Sequence, residues 1–415
     1  MPAVAGDSFA AEPLDIEEAV DLSLAANPGL ASVIEQARAM AAVAPQVGSL
    51  PDPMLSFNAQ NLPVDTFNLD QEPMTQLQLG ISQAVPFPGK LGLRREAAER
   101  EAAAATSAVD ERRLKLIGEV RATWWKLFFL DRALEIIRQN QSFMRDFIEI
   151  TQTKYKVGSG LQQDVLLAQL ELSRLLDREL RLKGQRESVQ AVMNSLLDRP
   201  SYLAIVMPES PPNESLPELD DETVLLERAV SARPLLAARR EQIEASRKRV
   251  DLAQRDYYPD LRFGAAYGFR QTHDRITGEQ LPDFLTLQLS INVPLYAGSR
   301  QSKAVEQRSS ELSRRKYLLN DALRGVEASI SRYYAGYVAA RDQVLLFRTA
   351  IVPQAQQTVE SMMAGYQVNR VDFLNVVNAQ LRLYDAQINQ WEALSDAKQA
   401  LAQLAVAVGE ESLYE

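Results

Sequence analysis

The residues that could carry catalytic or metal chemistry are few in this chain. It has 415 residues, no cysteine and a single histidine, His273. The chain therefore lacks most of the residues needed for thiolate catalysis, disulfides, zinc sites of the usual ligand types or a Ser/His/Asp triad. Methionine could bind soft copper(I), but the methionines are scattered, with only Met362 and Met363 adjacent. We expect no enzyme activity, no cofactor and no bound metal.

The charge balance limits the possible partners. The chain has 45 Lys+Arg against 55 Asp+Glu, a net charge of −10. Nucleic-acid binding draws mainly on clustered basic residues, so neither DNA nor RNA is an expected partner, and cations suit the chain better. Residues 1–10 lack a basic segment and an apolar core of signal-peptide length, so we expect a mature start.

No stretch of the sequence has the roughly 18 consecutive apolar residues of a membrane-spanning helix. The most apolar helical stretch, residues 123–130, is interrupted by Lys126. If this protein crosses a membrane, it must do so by strands.

The chain carries an internal tandem repeat. Asn27-Pro28 and Pro53 recur as Arg233-Pro234 and Pro259 with the same separation. Further along, Tyr155-Lys156-Val157 matches Tyr366-Gln367-Val368, and the small slippage falls in strands and loops, where insertions are tolerated. Each copy is predicted to run helix, strand, strand, long helix, turn, long helix.

The repeat predicts the organisation of the chain. Repeat 1 covers residues 1–198, with a helix over 15–44, barrel strands at about 54–61 and 74–85, and a long helical hairpin over 91–198. Residues 199–221, rich in proline and acidic residues, are predicted to form an exposed connection across the surface. Repeat 2 covers 222–408, with strands at about 260–270 and 284–293 and a helical hairpin over 298–408. Residues 409–415 form a C-terminal tail.

The first long helix is predicted to run from Leu91 to about Lys156, roughly 65 residues and near 100 Å. Its apolar residues recur every three or four positions and so lie along one side. A stripe of this length needs neighbours along the whole helix, which predicts coiled-coil-like pairs. The stripe consists of Leu116, Val120, Trp124, Leu127, Leu130, Leu134 and Ile137.

All four predicted strands alternate apolar with polar or small residues. A sheet with one face on a soluble core would explain a single strand of this kind. Lengths near 9 to 11 residues and aromatic side chains on the apolar face favour a transmembrane barrel instead. The apolar face includes Leu55, Phe57, Leu77, Leu79, Ile81, Phe263, Tyr267, Phe269, Leu285, Leu287 and Leu289.

Four strands cannot close a barrel, and open edges are not tolerated in lipid, so several chains must each contribute four. This argument alone permits eight, twelve or sixteen strands. The polar hairpin loops at 62–73 and 271–283 are expected to face the outside. A soluble coiled-coil scaffold and an envelope enzyme are the alternatives from other classes.

Three features together resemble the outer-membrane factor family, the TolC-like ducts of tripartite efflux pumps and type I secretion systems. They are the helix turns within 155–169 and 366–380, the strand exit Val-Pro-Phe-Pro-Gly-Lys-Leu at 85–91, and the repeat itself. The resemblance implies an α+β membrane protein. Its homotrimer would form a twelve-stranded transmembrane β-barrel, four strands per protomer, continued by a long α-helical periplasmic barrel. The location would be the outer membrane of a Gram-negative bacterium.

The resemblance also implies partners and a cargo class. A periplasmic adaptor and an inner-membrane RND-type pump would complete the assembly, outer-membrane lipid would surround the barrel, and the duct itself would be passive. The 85–91 stretch and Pro51-Asp52-Pro53 resemble the heavy-metal efflux branch. Export of drugs or other organic solutes, and type I protein secretion, are the alternative cargoes.

The resemblance places a gate at the helix turns. Asp164 and Tyr366 match residues that link neighbouring helices and hold the tip shut, although Asp164 could instead stabilise the first turn of its helix. Asn375 and Asn378 match a constricting ring that is acidic in some members, and Asp372 could supply the charge here. The alternative for the Asn pair is a solvated helix face. The predicted adaptor-docking residues are Val157, Gly158, Ser159, Gly160, Leu161, Val368, Asn369, Arg370 and Val371.

Overall fold

A computed structural model of the protein describes residues 13–274, 276–368 and 370–414. The docking residue Asn369 and the expected mature start at residues 1–10 lie outside the described residues. The first half of the chain contains α1 (Ile16–Ala26), α2 (Pro28–Gly48), β1 (Met54–Gln60), β2 (Gln76–Val85), α3 (Lys90–Lys156) and α4 (Gln162–Leu196).

The second half has the same order of elements. It contains α5 (Glu222–Ala232), α6 (Pro234–Arg255), β3 (Leu261–Phe269), β4 (Phe284–Ile291), α7 (Gln301–Leu346), a π-helical turn (Phe347–Ile351), α8 (Val352–Gln367), α9 (Phe373–Val408) and a short 3-10 helix (Glu411–Leu413).

The single helix predicted over 15–44 is wrong, because the chain breaks at Asn27. The residue before a proline is disfavoured in the helical conformation, and Asn27 has ψ 115° ahead of Pro28. Its side-chain oxygen then accepts a hydrogen bond from the Leu30 amide at 3.0 Å and caps α2. Arg233, ahead of Pro234, has ψ 116° and separates α5 from α6 in the same way.

The chain divides into two compact units, described here separately. The sheet unit comprises residues 34–108 and 237–321. Its four strands are antiparallel in the order β1-β2-β3-β4, so one edge of β1 and one edge of β4 carry no partner among the described strands. Phe57 pairs with Leu79, Leu79 with Tyr267, and Phe263 with Leu289, which aligns the apolar residues on one face.

The apolar face of this sheet is open to solvent in a single chain. Leu55 is 73% exposed, Phe57 71% and Leu287 77%, values that a sheet covering a soluble core would not show. The polar face carries glutamine, serine and glycine, and Gln76 donates to Gln60 at 3.1 Å across β1 and β2.

The strand exit at 85–91 is fastened by a buried lysine. The Lys90 side chain is 3% exposed, and its ammonium contacts the Asp260 carboxylate at 2.9 Å, the Asp256 carboxylate at 3.2 Å and the Tyr258 carbonyl at 3.1 Å. Gly89 has φ +91°, a conformation that favours glycine, and it turns the chain into α3. This fastening joins the exit from β2 to the segment that enters β3.

The hairpin unit comprises residues 13–33, 109–236 and 322–414. The predicted apolar stripe of α3 is confirmed, since each of its seven residues is at most 3% exposed. No helix in the described ranges combines the length and the apolarity needed to cross a membrane. The connection at 199–221 contains neither helix nor strand, and its Pro217 carbonyl accepts the Tyr337 hydroxyl at 2.5 Å.

An aromatic cluster fixes both ends of the described chain to α3. Trp124 Nε1 donates to the Leu14 carbonyl at 2.9 Å, and Trp125 Nε1 donates to the Tyr414 hydroxyl at 2.6 Å. The Lys398 ammonium lies 5.5 Å from the Trp125 ring. We call this group the anchor cluster, which consists of Trp124, Trp125, Phe128, Lys398 and Tyr414.

The two long helices of the repeats differ in continuity. The helix α3 is unbroken over 67 residues, whereas its counterpart is interrupted by the π-helical turn at Phe347–Ile351. Pro353 follows two residues later, and a proline ring clashes with the carbonyl four residues before it, here that of Thr349. Widening the helix by one residue in this turn relieves the clash.

Candidate functional site

The first hairpin turn, between α3 and α4, is set by glycine. Gly158 has φ +74°, and its amide donates to the Tyr155 carbonyl at 3.0 Å, while the Ser159 amide donates to the Lys154 carbonyl at 2.9 Å. These two bonds form the Schellman motif that ends many helices. A side chain on Gly160 would come within 2.9 Å of Lys154 Cβ, so the turn is also tightly packed.

The second hairpin turn, between α8 and α9, lacks a glycine at its apex. The Arg370 amide donates to the Gly365 carbonyl at 2.9 Å, and Val371 lies against Gly365. Val368, Arg370 and Asp372 expose their side chains. The geometry of this turn therefore depends on what its neighbouring residues pack against.

That packing is an aromatic cluster near the two turns. The Tyr366 ring lies 5.8 Å from Phe147, which in turn lies 5.6 Å from Phe373. The Lys154 ammonium sits over the Tyr366 ring at 3.9 Å from its centroid, a favourable cation–π contact. We call this group the tip cluster, which consists of Phe143, Phe147, Lys154, Tyr366 and Phe373.

The Asp164 carboxylate acts electrostatically on Tyr366 within one chain. Burial, with a smaller contribution from the Asp164 carboxylate, raises the pKa of Tyr366, so its neutral hydroxyl form is favoured. The Asp164 carboxylate accepts no hydrogen bond and forms no ion pair with any described residue. It lies in the first turn of α4, where the helix dipole favours a negative charge.

The three other predicted gate residues all lie at the start of α9. Asp372 precedes the helix in an extended conformation, and its carbonyl accepts the Asn375 amide at 3.1 Å. Asp372, Asn375 and Asn378 are exposed, whereas Val376 and Val377 between them are buried. The polar residues thus share a surface of α9 that this chain leaves uncovered.

The predicted docking residues present apolar side chains to solvent. Val157 is 72% exposed, Leu161 59% and Val368 63%. Gly158 and Ser159 are exposed beside them. Exposed apolar side chains at two neighbouring turns are typical of a surface that another protein covers.

Four residues of the tip cluster, all except Tyr366, were missed from sequence. Phe147 follows Phe143 by four positions, a spacing that places both on one side of α3 and could have been noticed. Lys154 and Phe373 carry no such signal, because the contacts of Lys154 with Tyr366 and of Phe373 with Phe147 join residues more than two hundred positions apart. The cation–π contact with Tyr366 emerges only from the fold.

The sequence matches the model of a known protein family. The family model described as outer membrane efflux protein matches residues 19–197 and 225–410, most of the chain. The chain belongs to the outer membrane efflux protein family. The predicted family is thereby confirmed, and so is the outer-membrane location of this efflux protein.

Individual proteins agree with this placement. The efflux protein is 24% identical to the outer membrane protein TolC of Vibrio cholerae serotype O1, over 76% of this chain and 72% of TolC. It is 20% identical to the cobalt-zinc-cadmium resistance protein CzcC of Cupriavidus metallidurans, over 94% of this chain and 89% of CzcC. Its fold superposes on the outer membrane protein VceC of Vibrio cholerae with a TM-score of 0.78 at 19% identity, covering 96% and 97% of the two chains.

Membership of this family establishes the general function of the chain. The efflux protein is an outer-membrane efflux channel, and its family consists of ducts of pumps and secretion systems rather than of enzymes. The soluble scaffold alternative is excluded by this placement. The predicted efflux function is confirmed at this level.

Proposed function

We propose that three copies of this chain form one exit duct, with a twelve-stranded barrel in the outer membrane and a helical barrel in the periplasm. The observation that carries this proposal is the sheet itself. Its apolar face is exposed along all four strands, and each outer strand leaves one edge unpaired among the described residues. Lipid against the apolar face and neighbouring copies at the edges would satisfy both features.

The proposed duct contains a tandem duplication. The family model matches the chain twice, at 19–197 and 225–410, and the order of elements is the same in both halves. The boundaries given above, repeats at 1–198 and 222–408 with a connection at 199–221 and a tail at 409–415, belong to this proposal. A periplasmic adaptor and an inner-membrane RND-type pump complete the assembly.

The trimeric duct is tested by measuring the mass of the assembly and its conductance on the same preparation. The detergent-solubilised protein should have three times the chain mass of 46.3 kDa after subtracting bound detergent. The same preparation should form discrete conducting channels in a planar lipid bilayer. A monodisperse monomer in buffer without detergent would contradict the proposal, as would a trimer that forms no channel under any applied voltage.

We propose further that the two hairpin turns are the periplasmic gate. Tyr366 and Asp164 hold it shut, and Asp372, Asn375 and Asn378 face the constriction. The proposal is supported by the half-buried ring of Tyr366, by its coupling to Asp164, and by the Asp164 carboxylate, which has no partner within the described part of its own chain. That carboxylate is free to accept a bond from a neighbouring copy.

Single-channel conductance tests this gate. Asp164→Ala and Tyr366→Ala should each raise the conductance, because each removes a group that holds the turns together. Leu180→Ala is the matched control, since Leu180 is 69% exposed on α4 and is no part of the tip cluster. Conductances of both variants equal to that of the unaltered protein would remove the gate assignment.

The exposed turn residues are proposed as the adaptor-docking surface. A charge placed in an apolar contact carries a desolvation cost, so Val157→Asp and Val368→Asp should weaken adaptor binding while trimers and conductance persist. Ser201→Asp, in the exposed connection, should leave binding unchanged. Normal adaptor binding by both turn variants would count against docking at this surface.

Heavy-metal cations are the proposed cargo. CzcC, named for resistance to cobalt, zinc and cadmium, aligns with 94% of this chain, and the chain's charge of −10 suits cations. Deleting the gene should lower the tolerance of its host to these three metals and leave the tolerance to organic drugs unchanged. The reverse pattern would favour export of organic solutes.

A further inference from the structure

Two adjacent methionines of α8, Met362 and Met363, lie next to the proposed gate, and we call them the methionine pair. They precede Tyr366 by four and three positions, a spacing that places both on the side of the helix that carries the Tyr366 ring. Both pack against the core that contains Phe147 and Phe373. Both also pack against a second core, which consists of Val359, Ala379 and Leu383. The methionine pair therefore helps to hold α8 against α3 and α9.

The methionines of the described residues differ in how far solvent reaches them. Met144, in the core beside the pair, is 0% exposed and is closed to a reagent in solution. Met54 and Met74 are 57% and 55% exposed, but they belong to the sheet unit, whereas α8 belongs to the hairpin unit. Met362 and Met363 are half-buried, so solvent reaches side chains that also form part of a packed interior.

The first hairpin tip has no sulfur at the corresponding positions. Thr151 and Gln152 precede Tyr155 by the same four and three residues that separate the methionine pair from Tyr366. Thr151 is 3% exposed, and its hydroxyl donates to the Phe147 carbonyl at 3.1 Å. A reagent that modifies accessible thioethers therefore distinguishes the second tip from the first.

Oxidation would change the character of these two side chains. Hypochlorous acid converts a thioether to a sulfoxide: an S–O bond forms, the O–Cl bond breaks, and the sulfur electron pair reduces chlorine to chloride while a proton is released. The product is polar where the thioether was apolar, and it disrupts packing. The side chains of the second core are all aliphatic, so they offer no hydrogen-bond donor to a sulfoxide oxygen.

We propose that the methionine pair is an oxidation site that controls the second hairpin turn. Conversion of Met362 and Met363 to sulfoxides loosens α8 beside Tyr366 and releases the gate, and reduction back to the thioethers restores it. The inference rests on the proposed gate, because it assigns Tyr366 to the closed state. The duct then responds directly to oxidants in the compartment around its helices.

The test records single-channel currents before and after treatment with hypochlorous acid, and peptide mass spectrometry locates the added oxygen. Oxidation should make openings of the unaltered channel about tenfold more frequent, the effect of leaving a polar group unpaired in an apolar core. A methionine sulfoxide reductase should reverse the change. The double variant Met362→Leu/Met363→Leu nearly preserves side-chain volume, so it should open as the untreated channel does and should not respond to the acid.

Met54→Leu/Met74→Leu is the matched control, because it removes two more exposed methionines and leaves the methionine pair intact. It should respond to the acid as fully as the unaltered protein does. Met362→Gln/Met363→Gln places polar groups at the pair without any oxidant and should itself raise the opening frequency. A full response in Met362→Leu/Met363→Leu overturns the proposal, as does loss of the response in the control.

A second readout does not depend on channel activity. Arg370 is exposed in the second turn, and trypsin cleaves after arginine. Oxidation should accelerate cleavage after Arg370 in the detergent-solubilised protein, but not in Met362→Leu/Met363→Leu. Faster cleavage together with an unchanged conductance in Tyr366→Ala would refute the gate and keep the oxidation site. A raised conductance in Tyr366→Ala, with neither openings nor cleavage altered by oxidation, would refute the oxidation site alone.

Discussion

The anchor cluster and the tip cluster are both aromatic, and both join α3 to α9, yet they are built differently. Trp124 and Trp125 are at most 1% exposed, and both indole N–H groups are hydrogen-bonded. In the tip cluster Tyr366 is only partly buried, and it is held by ring stacking and one ammonium group. Saturated hydrogen bonds and full burial suit a fixed joint, whereas half-buried stacked rings can rearrange at a smaller cost.

The largest expected difference is in stability. Trp125→Ala should lower the free energy of unfolding by about 3–5 kcal/mol, because it opens a large cavity in the anchor cluster. Tyr366→Ala should lower it by about 1–2 kcal/mol, since less apolar area is lost. Urea denaturation measures both, with Tyr202→Ala as the control, since Tyr202 is 84% exposed. Equal decreases in the free energy of unfolding in Trp125→Ala and Tyr366→Ala would contradict the proposed difference between the two clusters.

The anchor cluster should also respond to pH through a buried lysine. Burial lowers the pKa of Lys398 to about 8, against the weaker opposing influence of Glu214. Between pH 8 and the ordinary pKa of 10.5 the unfolded chain binds more protons, so stability should rise with pH across this window. The full rise corresponds to about 3 kcal/mol.

The test for Lys398 is a comparison of unfolding free energies at several pH values. Lys398→Met should remove the rise between pH 8 and 10.5 and should be the more stable protein at pH 7. The two proteins should converge as the pH rises above the window. Parallel pH profiles for both proteins would show that Lys398 is protonated equally in the folded and unfolded states.

A third prediction concerns the segment of α3 between the two clusters. Asn140 is 0% exposed, and neither its amide nitrogen nor its oxygen has a hydrogen-bond partner in the described structure. Asn140→Leu removes this unpaired group and should raise the free energy of unfolding by about 1–3 kcal/mol. A destabilised variant would indicate that Asn140 has a partner in the assembled protein.

The smallest expected effect comes from comparing Gly158, in the first hairpin turn, with a glycine inside a helix. Gly158→Ala forces an alanine to φ +74° and should cost about 1 kcal/mol. Gly184→Ala, inside α4 with open space around the added methyl, should instead stabilise by about 0.5–1 kcal/mol. The thermal unfolding midpoint should therefore fall in Gly158→Ala and rise in Gly184→Ala. Shifts of the same sign would mean that the turn conformation does not require Gly158.

Local patterns in the sequence predicted much of the fold. The stripe of α3 was predicted from apolar residues spaced by three to four positions, and the strands from an alternation with a period of two. The helix breaks before Pro28 and Pro234 follow from single prolines. These signals depend on neighbours in the chain. Lys154 over Tyr366 and Arg270 over Phe284 could not be predicted in this way, since the first depends on the register between distant helices and the second on how a loop folds back.

The π-helical turn makes the two hairpin tips of the chain unlike. The segment from Gln301 to Gln367 contains as many residues as α3, but one of them is absorbed by the wider turn. Every residue beyond it is therefore displaced by one position, about 100° around the axis and about 1.5 Å along it, relative to its counterpart. Tyr155 and Tyr366 are such counterparts, and only Tyr155 is exposed, at 48%. The two similar halves of the chain therefore end in tips that differ by a single residue of helical phase.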